Sequence, residues 1–115
     1  MNQHPIVHLE ISAKNPAVSD QFYASVFGWA IEVDSKFNYH QFRTEGGPGG
    51  AFVEGEGIIP YIYTDDVDTS LARVEAAGGK TISPKMEIPG TGWFALFSDP
   101  AGNRIGLFTP MGQMG

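Results

Sequence analysis

The chain contains no cysteine in its 115 residues. This absence excludes disulfides, thiolate nucleophiles, zinc-thiolate sites and iron-sulfur clusters. Basic residues are also few, with seven Lys and Arg against 13 Asp and Glu, and the formal net charge is -6. Because the basic residues are scattered, the electrostatic pattern of a nucleic-acid or anionic-membrane binder is missing. We therefore expect neither nucleic acid nor a membrane as a partner.

Long hydrophobic runs are missing as well, since no segment approaches the ~20 apolar residues that span a bilayer. Residues Met1–Pro5 lack the basic region and apolar stretch of an export signal. We expect a soluble cytoplasmic protein, with residues 1–115 forming one domain that has its own hydrophobic core.

A strand pattern and a helix pattern open the chain. Ile6–Ser12 has the composition of a strand, and Asn15 followed by Pro is a favourable helix start. Apolar residues at i, i+4 spacing then predict a helix over Pro16–Phe27 with a broad apolar face, and Gly28 provides a left-handed stop. Two rows form this face: Val18, Phe22 and Val26, with Tyr23 and Phe27 beside them.

The second half repeats this order, with a strand at Pro60–Thr64 and a helix over Val67–Ala77 that Asp66 caps and Gly78 ends. Short β-rich runs follow each helix: Ala30–Val33, Tyr39–Thr44 and Ala51–Glu54, then Lys80–Ile82, Trp93–Ser98 and Arg104–Thr109. The sequence therefore predicts an α+β fold of two tandem βαβββ modules, at approximately 5–56 and 57–110.

Three motifs link the chain to a known family: Phe22-Tyr23…Phe27-Gly28-Trp29, Ala76-Ala77-Gly78-Gly79 and Asp99-Pro100-x-Gly102-Asn103. With these motifs the chain resembles the vicinal oxygen chelate superfamily, which includes glyoxalases, bleomycin-resistance proteins and extradiol dioxygenases. The resemblance covers residues 7–109. It implies that the concave faces of the two modules enclose a cleft.

Enzymes of this superfamily hold a divalent metal with one ligand from each of four cleft-lining strands, and the metal binds neighbouring substrate oxygens. His8 aligns with the first ligand position. The matching position of the second module is Ile59 or Pro60, and Gly106 replaces the usual Glu of the last strand. Glu54 could serve as a donor only if the register of its strand slips. We expect no metal and no other cofactor, with one divalent ion at His8 as the alternative.

The resemblance and strand alternation also suggest a ligand site. If His8 faces the cleft, so does Glu10. A hairpin closed by residues 99–103 pairs Phe94 with Phe108 on the cleft face, where Gly106 would leave room for a ligand. Arg104 on the same face would pair with Glu10 or meet an anionic ligand, and both readings stay open. The predicted ligand-binding residues, with no catalytic residue assigned, are His8, Glu10, His40, Phe42, Phe94, Arg104 and Phe108.

The missing metal ligands favour a small-molecule binding protein, similar to the drug-sequestering members of the superfamily. The alternative is a metal-dependent enzyme, either a glyoxalase-type lyase or a dioxygenase, that acts on a substrate with vicinal oxygens. We also expect a homodimer, because the superfamily commonly pairs its chains and the apolar set is large for a small domain. That set is Phe22, Phe27, Trp29, Trp93 and Phe108.

Overall fold

The computed structural model describes residues 4–112. Its elements in chain order are β1 (Ile6–Ser12), α1 (Pro16–Phe27), β2 (Ala30–Asp34), β3 (Tyr39–Arg43), β4 (Gly49–Val53), β5 (Ile58–Tyr63), α2 (Val67–Ala76), β6 (Lys80–Ile88), β7 (Gly92–Ser98) and β8 (Arg104–Pro110). The predicted α+β class and the repeated order of one strand, one helix and three strands are confirmed.

The described residues form two compact units. The first unit is residues 7–60, in which the strand order is β2-β3-β4-β1, with β1 parallel to β4 and the other pairs antiparallel. The second unit is residues 61–112 together with residues 4–6, and its order is β5-β8-β7-β6, with β5 parallel to β8. Each unit thus places its first and last strands side by side.

Both helices begin at the predicted residues, and α1 ends at Phe27 as predicted, whereas α2 ends at Ala76, one residue before the predicted end at Ala77. The Asn15 side chain accepts a hydrogen bond from the Ala17 amide, and Gly28 ends α1 at φ 75° in the left-handed region that favours glycine. The Asp66 side chain caps α2 by accepting from the amides of Asp68 and Thr69. In the part of the chain that the structure describes, neither helix has the length and apolar character needed to cross a membrane.

Stacked aromatic rings form the core of the first unit. The Trp29 ring lies 4.7 Å from Tyr23 of α1 and 4.6 Å from Phe42 of β3, measured between centroids. Phe52 of β4 completes the group, 4.9 Å from Phe42 and 5.3 Å from Tyr23. Phe42 and Phe52 are almost fully buried, so this cluster attaches α1 to the sheet.

The second unit has a separate core between α2 and its sheet. It consists of Val67 and Leu71 from the helix and of Ala95, Phe97 and Leu107 from the strands. Because successive side chains of a strand alternate between faces, the neighbours Phe94, Leu96 and Phe108 lie on the sheet face away from α2.

The apolar rows of α1 differ in their environment. In the shorter row Tyr23 faces the sheet and Phe27 is 61% exposed, whereas all of the longer row is exposed: Val18 at 62%, Phe22 at 52% and Val26 at 56%. The sequence pattern correctly indicates an apolar surface on this helix, but the longer row points away from the core.

Candidate functional site

The sheet of the first unit has one face covered by α1 and one face without a helix. On β3, His40 contacts Asp20 of α1, so the adjacent Tyr39 must lie on the other face. The Tyr39 hydroxyl is 3.5 Å from Nε2 of His8 on β1. His8 and Tyr39 therefore share the face away from α1, and alternation along β1 places Glu10 there too.

Burial keeps both members of this contact neutral near pH 7. Removal from water lowers the pKa of His8, because burial penalises its charged form. The pKa of Tyr39 is raised to about 12, chiefly because the side chain is buried and to a lesser extent because Glu10 is negatively charged. The pair thus offers one phenolic O–H donor and imidazole nitrogens, and its 3.5 Å separation is longer than an ordinary hydrogen bond.

A cavity of about 300 Å³ lies beside this pair, entirely within the first unit. Its polar lining residues are His8, Glu32, Gln41 and Arg43. Gln41 is opposite Glu32 in the β2-β3 register and, like Arg43, shares the face of Tyr39 by alternation. The cavity therefore combines a cation, an anion, an amide and an imidazole.

Gly50 lets β4 lie close to its neighbours along this cavity. A Cβ atom on Gly50 would lie only 1.8 Å from the Leu9 carbonyl oxygen and 2.7 Å from the Phe42 ring. Real Cβ atoms do not approach so closely, so this position requires glycine and any substitution would displace the strand.

Sequence reasoning missed Glu32, Gln41 and Arg43 and selected His40 and Phe42 instead. The structure places His40 on the α1 face of the sheet, away from His8, whereas Phe42 lines the same cavity as His8. Phe42 belongs to the aromatic core. The alternation of β3 was the available signal, but a period of two says which residues share a face and not which face is open.

His40 forms a buried polar link between β3 and α1. Its Nδ1 atom is 2.5 Å from Oδ2 of Asp20, and its Nε2 atom is 3.1 Å from Oδ1 of Asn38. The ring is 8% exposed, so these two contacts replace water as its hydrogen-bond partners.

The remaining predicted ligand residues lie in the second unit. The β7-β8 hairpin has the predicted register, with Phe94 opposite Phe108 and Ser98 opposite Arg104. Asp99 forms the turn by accepting hydrogen bonds from the amide of Asn103 and from its side chain. The prediction that Phe94, Arg104 and Phe108 share one face of this hairpin is therefore confirmed.

Gly106 does not leave the open space that was expected above it. It is opposite Tyr61 in the β5-β8 register, and a Cβ atom added to Gly106 would lie 2.3 Å from the Tyr61 ring. Tyr61 is 7% exposed, so its ring fills the position where the superfamily carries a ligand side chain.

The donor set of the described residues does not fit the metal cage of the superfamily. Within residues 4–112 no three His, Asp or Glu side chains come together as a metal site. Glu54 follows the end of β4 and is exposed, and Gly106 offers no donor atom. A hard divalent cation needs several oxygen or nitrogen ligands, so His8 would have to be joined by further groups.

Comparison with known sequences gives matches over most of the chain. A family model described as a glyoxalase-like domain matches residues 8–108. The anthracycline biosynthesis protein DnrV of Streptomyces peucetius is 31% identical over 122 aligned residues, covering 86% of this chain. A glyoxylase-like domain-containing protein of Didymella fabae is 26% identical, covering 91% of this chain and 93% of that relative. The chain spans 44% of the length of DnrV, less than half of that protein.

Solved structures show the same fold at low sequence identity. A methylmalonyl-CoA epimerase from Streptomyces coelicolor, in complex with 2-nitronate-propionyl-CoA, has a TM-score of 0.72 at 17% identity and covers 99% of both chains. A hypothetical protein from Bacillus halodurans has a TM-score of 0.76 at 13% identity and covers 97% of this chain and 98% of its own. At these identities the likeness establishes the fold alone.

Proposed function

Because this chain belongs to the glyoxalase-like domain family, we propose that it binds a small organic molecule on the open sheet face of its first unit. The cavity of about 300 Å³ beside His8 carries this proposal. Small-molecule sites begin at roughly this volume and carry a few converging polar groups on a shaped surface. This cavity has four such groups within one unit.

The polar groups favour a ligand with both an anionic and a neutral oxygen. Arg43 supplies the positive charge and a fork of N–H donors that suits a carboxylate. The Gln41 amide donates to a neutral oxygen, and neutral His8 can accept a hydrogen bond. Glu32, on the same face, would repel a second negative charge, so the proposed ligand carries one carboxylate rather than two.

The predicted ligand residues of the second unit stay part of the proposal. Phe94 and Phe108 are half-buried partners across the β7-β8 hairpin, and Arg104 lies on the same face at the end next to the turn. Apolar rings beside an arginine suit a planar ligand with one negative charge. Changes at these residues test this surface of the second unit by itself.

We propose that binding does not need a metal. The filled position above Gly106 and the dispersed carboxylates of the described residues support this proposal. The alternative is a metal-dependent lyase or dioxygenase with its metal at His8. Elemental analysis of protein purified without chelator distinguishes the two, since about one equivalent of metal per chain, lost in His8→Ala, would favour the enzyme.

The ligand proposal is tested by ligand-observed NMR with a library of small monocarboxylic acids. The substitution Arg43→Gln should weaken binding of the best hit about 10- to 150-fold, the equivalent of ~1.5–3 kcal/mol for a hydrogen bond to a charged group. Arg73→Gln is the matched control, because Arg73 is an exposed arginine at the end of α2. Equal affinities in the two variants would show that the ligand does not bind at this cavity.

We also propose that two chains form a homodimer. Exposed apolar area supports this pairing, since twelve large hydrophobic residues of the described chain are exposed, Phe27 and Phe37 among them. Light scattering at micromolar concentration tests the mass, and a monomer would contradict the proposal.

A further inference from the structure

The outer face of α1 is apolar, which is unusual for a helix on a protein surface. Val18, Phe22 and Val26 are 62%, 52% and 56% exposed, and their i, i+4, i+8 spacing places them in one row. A surface helix ordinarily points its polar residues outward and its apolar stripe toward the core. None of the twelve residues of α1 is buried.

The inner face holds the helix in this orientation. Asp20 is bonded to His40, and the Tyr23 ring stacks on Phe52. Rotating α1 to bury Phe22 would break both contacts. The exposed row is therefore fixed by the fold of the first unit and is not a result of a loosely held helix.

The exposed row lies on a face without charge. Asp20 is the one charged residue of the α1 sequence, and it faces His40 in the interior. The exposed polar residues beside the row, Gln21 and Ser25, are neutral. The whole chain carries a net charge of -6, so two copies repel each other over most of their surfaces. They can approach at this face without placing carboxylates opposite one another.

The row is also complementary to itself. Its order is Val, Phe, Val, with Phe22 in the centre. If two α1 helices pack antiparallel about a two-fold axis at Phe22, Val18 meets Val26 of the partner subunit and Val26 meets the partner's Val18. Each pair joins equivalent apolar side chains, as a symmetric interface requires.

From these observations we infer that the outer face of α1, formed by Val18, Phe22 and Val26, is the surface through which two copies of this chain pair. The inference rests on the homodimer proposed above and is independent of the ligand site. Stable interfaces bury about 800 Å² on each partner, more than three side chains provide. The pairing should accordingly be reversible and depend on protein concentration.

Sedimentation velocity over a range up to about 300 µM tests the surface. The unmodified chain should show a sedimentation coefficient that rises with concentration. Phe22→Glu should raise the dimer dissociation constant at least about tenfold, because it places two buried carboxylates opposite each other at the axis. Phe37→Glu is the matched control, since Phe37 is an exposed phenylalanine, 72% accessible, in the turn between β2 and β3. This variant should dimerise like the unmodified chain.

A second variant covers the case in which Phe22→Glu fails to fold. The chain has no cysteine, so Phe22→Cys introduces a single thiol at the proposed two-fold axis. Mild oxidation should convert most of this variant to a disulfide-linked dimer, and Phe37→Cys should give much less.

Each negative result contradicts a different part of the proposal. If the unmodified chain stays monomeric at the highest concentration, the homodimer and the α1 surface are both wrong. If it dimerises but Phe22→Glu dimerises equally well, or if both cysteine variants crosslink equally, the homodimer stands and the surface is wrong. Neither result affects binding of a carboxylate at Arg43, which is measured separately.

Discussion

The packing of Tyr61 over Gly106 predicts a strong coupling between the two positions. In Gly106→Ala the new methyl carbon would lie 2.3 Å from two atoms of the Tyr61 ring, whereas carbon atoms in contact are ordinarily about 3.5–4.0 Å apart. The ring is 7% exposed and cannot swing into water without leaving a cavity. We expect Gly106→Ala to lower the free energy of unfolding by ~1–3 kcal/mol, the usual cost of overpacking.

A double-mutant cycle isolates this clash. Tyr61→Ala alone should cost ~3–5 kcal/mol, as for other large aromatic truncations. In that background Gly106→Ala should cost less than about 0.5 kcal/mol, because the ring it meets is gone. Urea unfolding followed by circular dichroism gives the four free energies, provided that the m-values agree. An equal cost of Gly106→Ala in both backgrounds would refute the steric explanation.

Three further predictions concern the polar groups of the first unit. Asp20→Ala should lower the free energy of unfolding by ~1.5–3 kcal/mol, because it leaves buried His40 without its charged partner. The control is Glu87→Ala at an exposed position, which should lower it by less than ~0.5 kcal/mol. Urea titrations measure both values. Burial lowers the pKa of His8, so the folded chain binds fewer protons than the unfolded chain just below the ordinary value of about 6.5. The free energy of unfolding should fall as the pH decreases through that range, and His8→Gln should remove part of this dependence. The pKa of Tyr39 is raised to about 12, so an absorbance titration of phenolate should contain a transition near that pH. This transition should be missing in Tyr39→Phe. A Tyr39 transition near pH 10 would contradict the burial of its hydroxyl.

Local signals in the sequence were sufficient to predict most of the fold. Asn15 before Pro16 defines the start of α1, because the Asn15 side chain accepts a hydrogen bond from the free Ala17 amide and Pro16 has no amide N–H to satisfy. The Asp99 to Asn103 turn fixes the register of β7 and β8, since the turn is closed by hydrogen bonds among its own residues. Such features depend on neighbours in sequence and can be predicted from them.

The site was predicted less completely, because it depends on contacts between distant strands. Periodicity predicted that His8 and Glu10 share a face, but it could not choose between the two faces of β3. The choice depends on the Asp20 contact of His40, which joins residues 20 positions apart. The position above Gly106 depends in the same way on Tyr61, 45 residues earlier in the chain, and no local pattern predicts that contact.

The orientation of α1 follows from comparing two energies. Turning the helix inward would bury the exposed part of Phe22 and Val18, which are 52% and 62% exposed, so each side chain gains only about half of the ~1.5–3 kcal/mol for full burial. The same rotation would expose Tyr23, with a loss of ~1.5–3 kcal/mol of hydrophobic burial. It would also separate Asp20 from His40, which costs a further ~1.5–3 kcal/mol and leaves the buried Nδ1 of His40 without a hydrogen-bond partner. The observed orientation is therefore favoured within one chain, and the apolar row remains exposed as a consequence. A second copy can cover that row without disturbing the inner contacts, so pairing would recover hydrophobic burial that the single chain gives up.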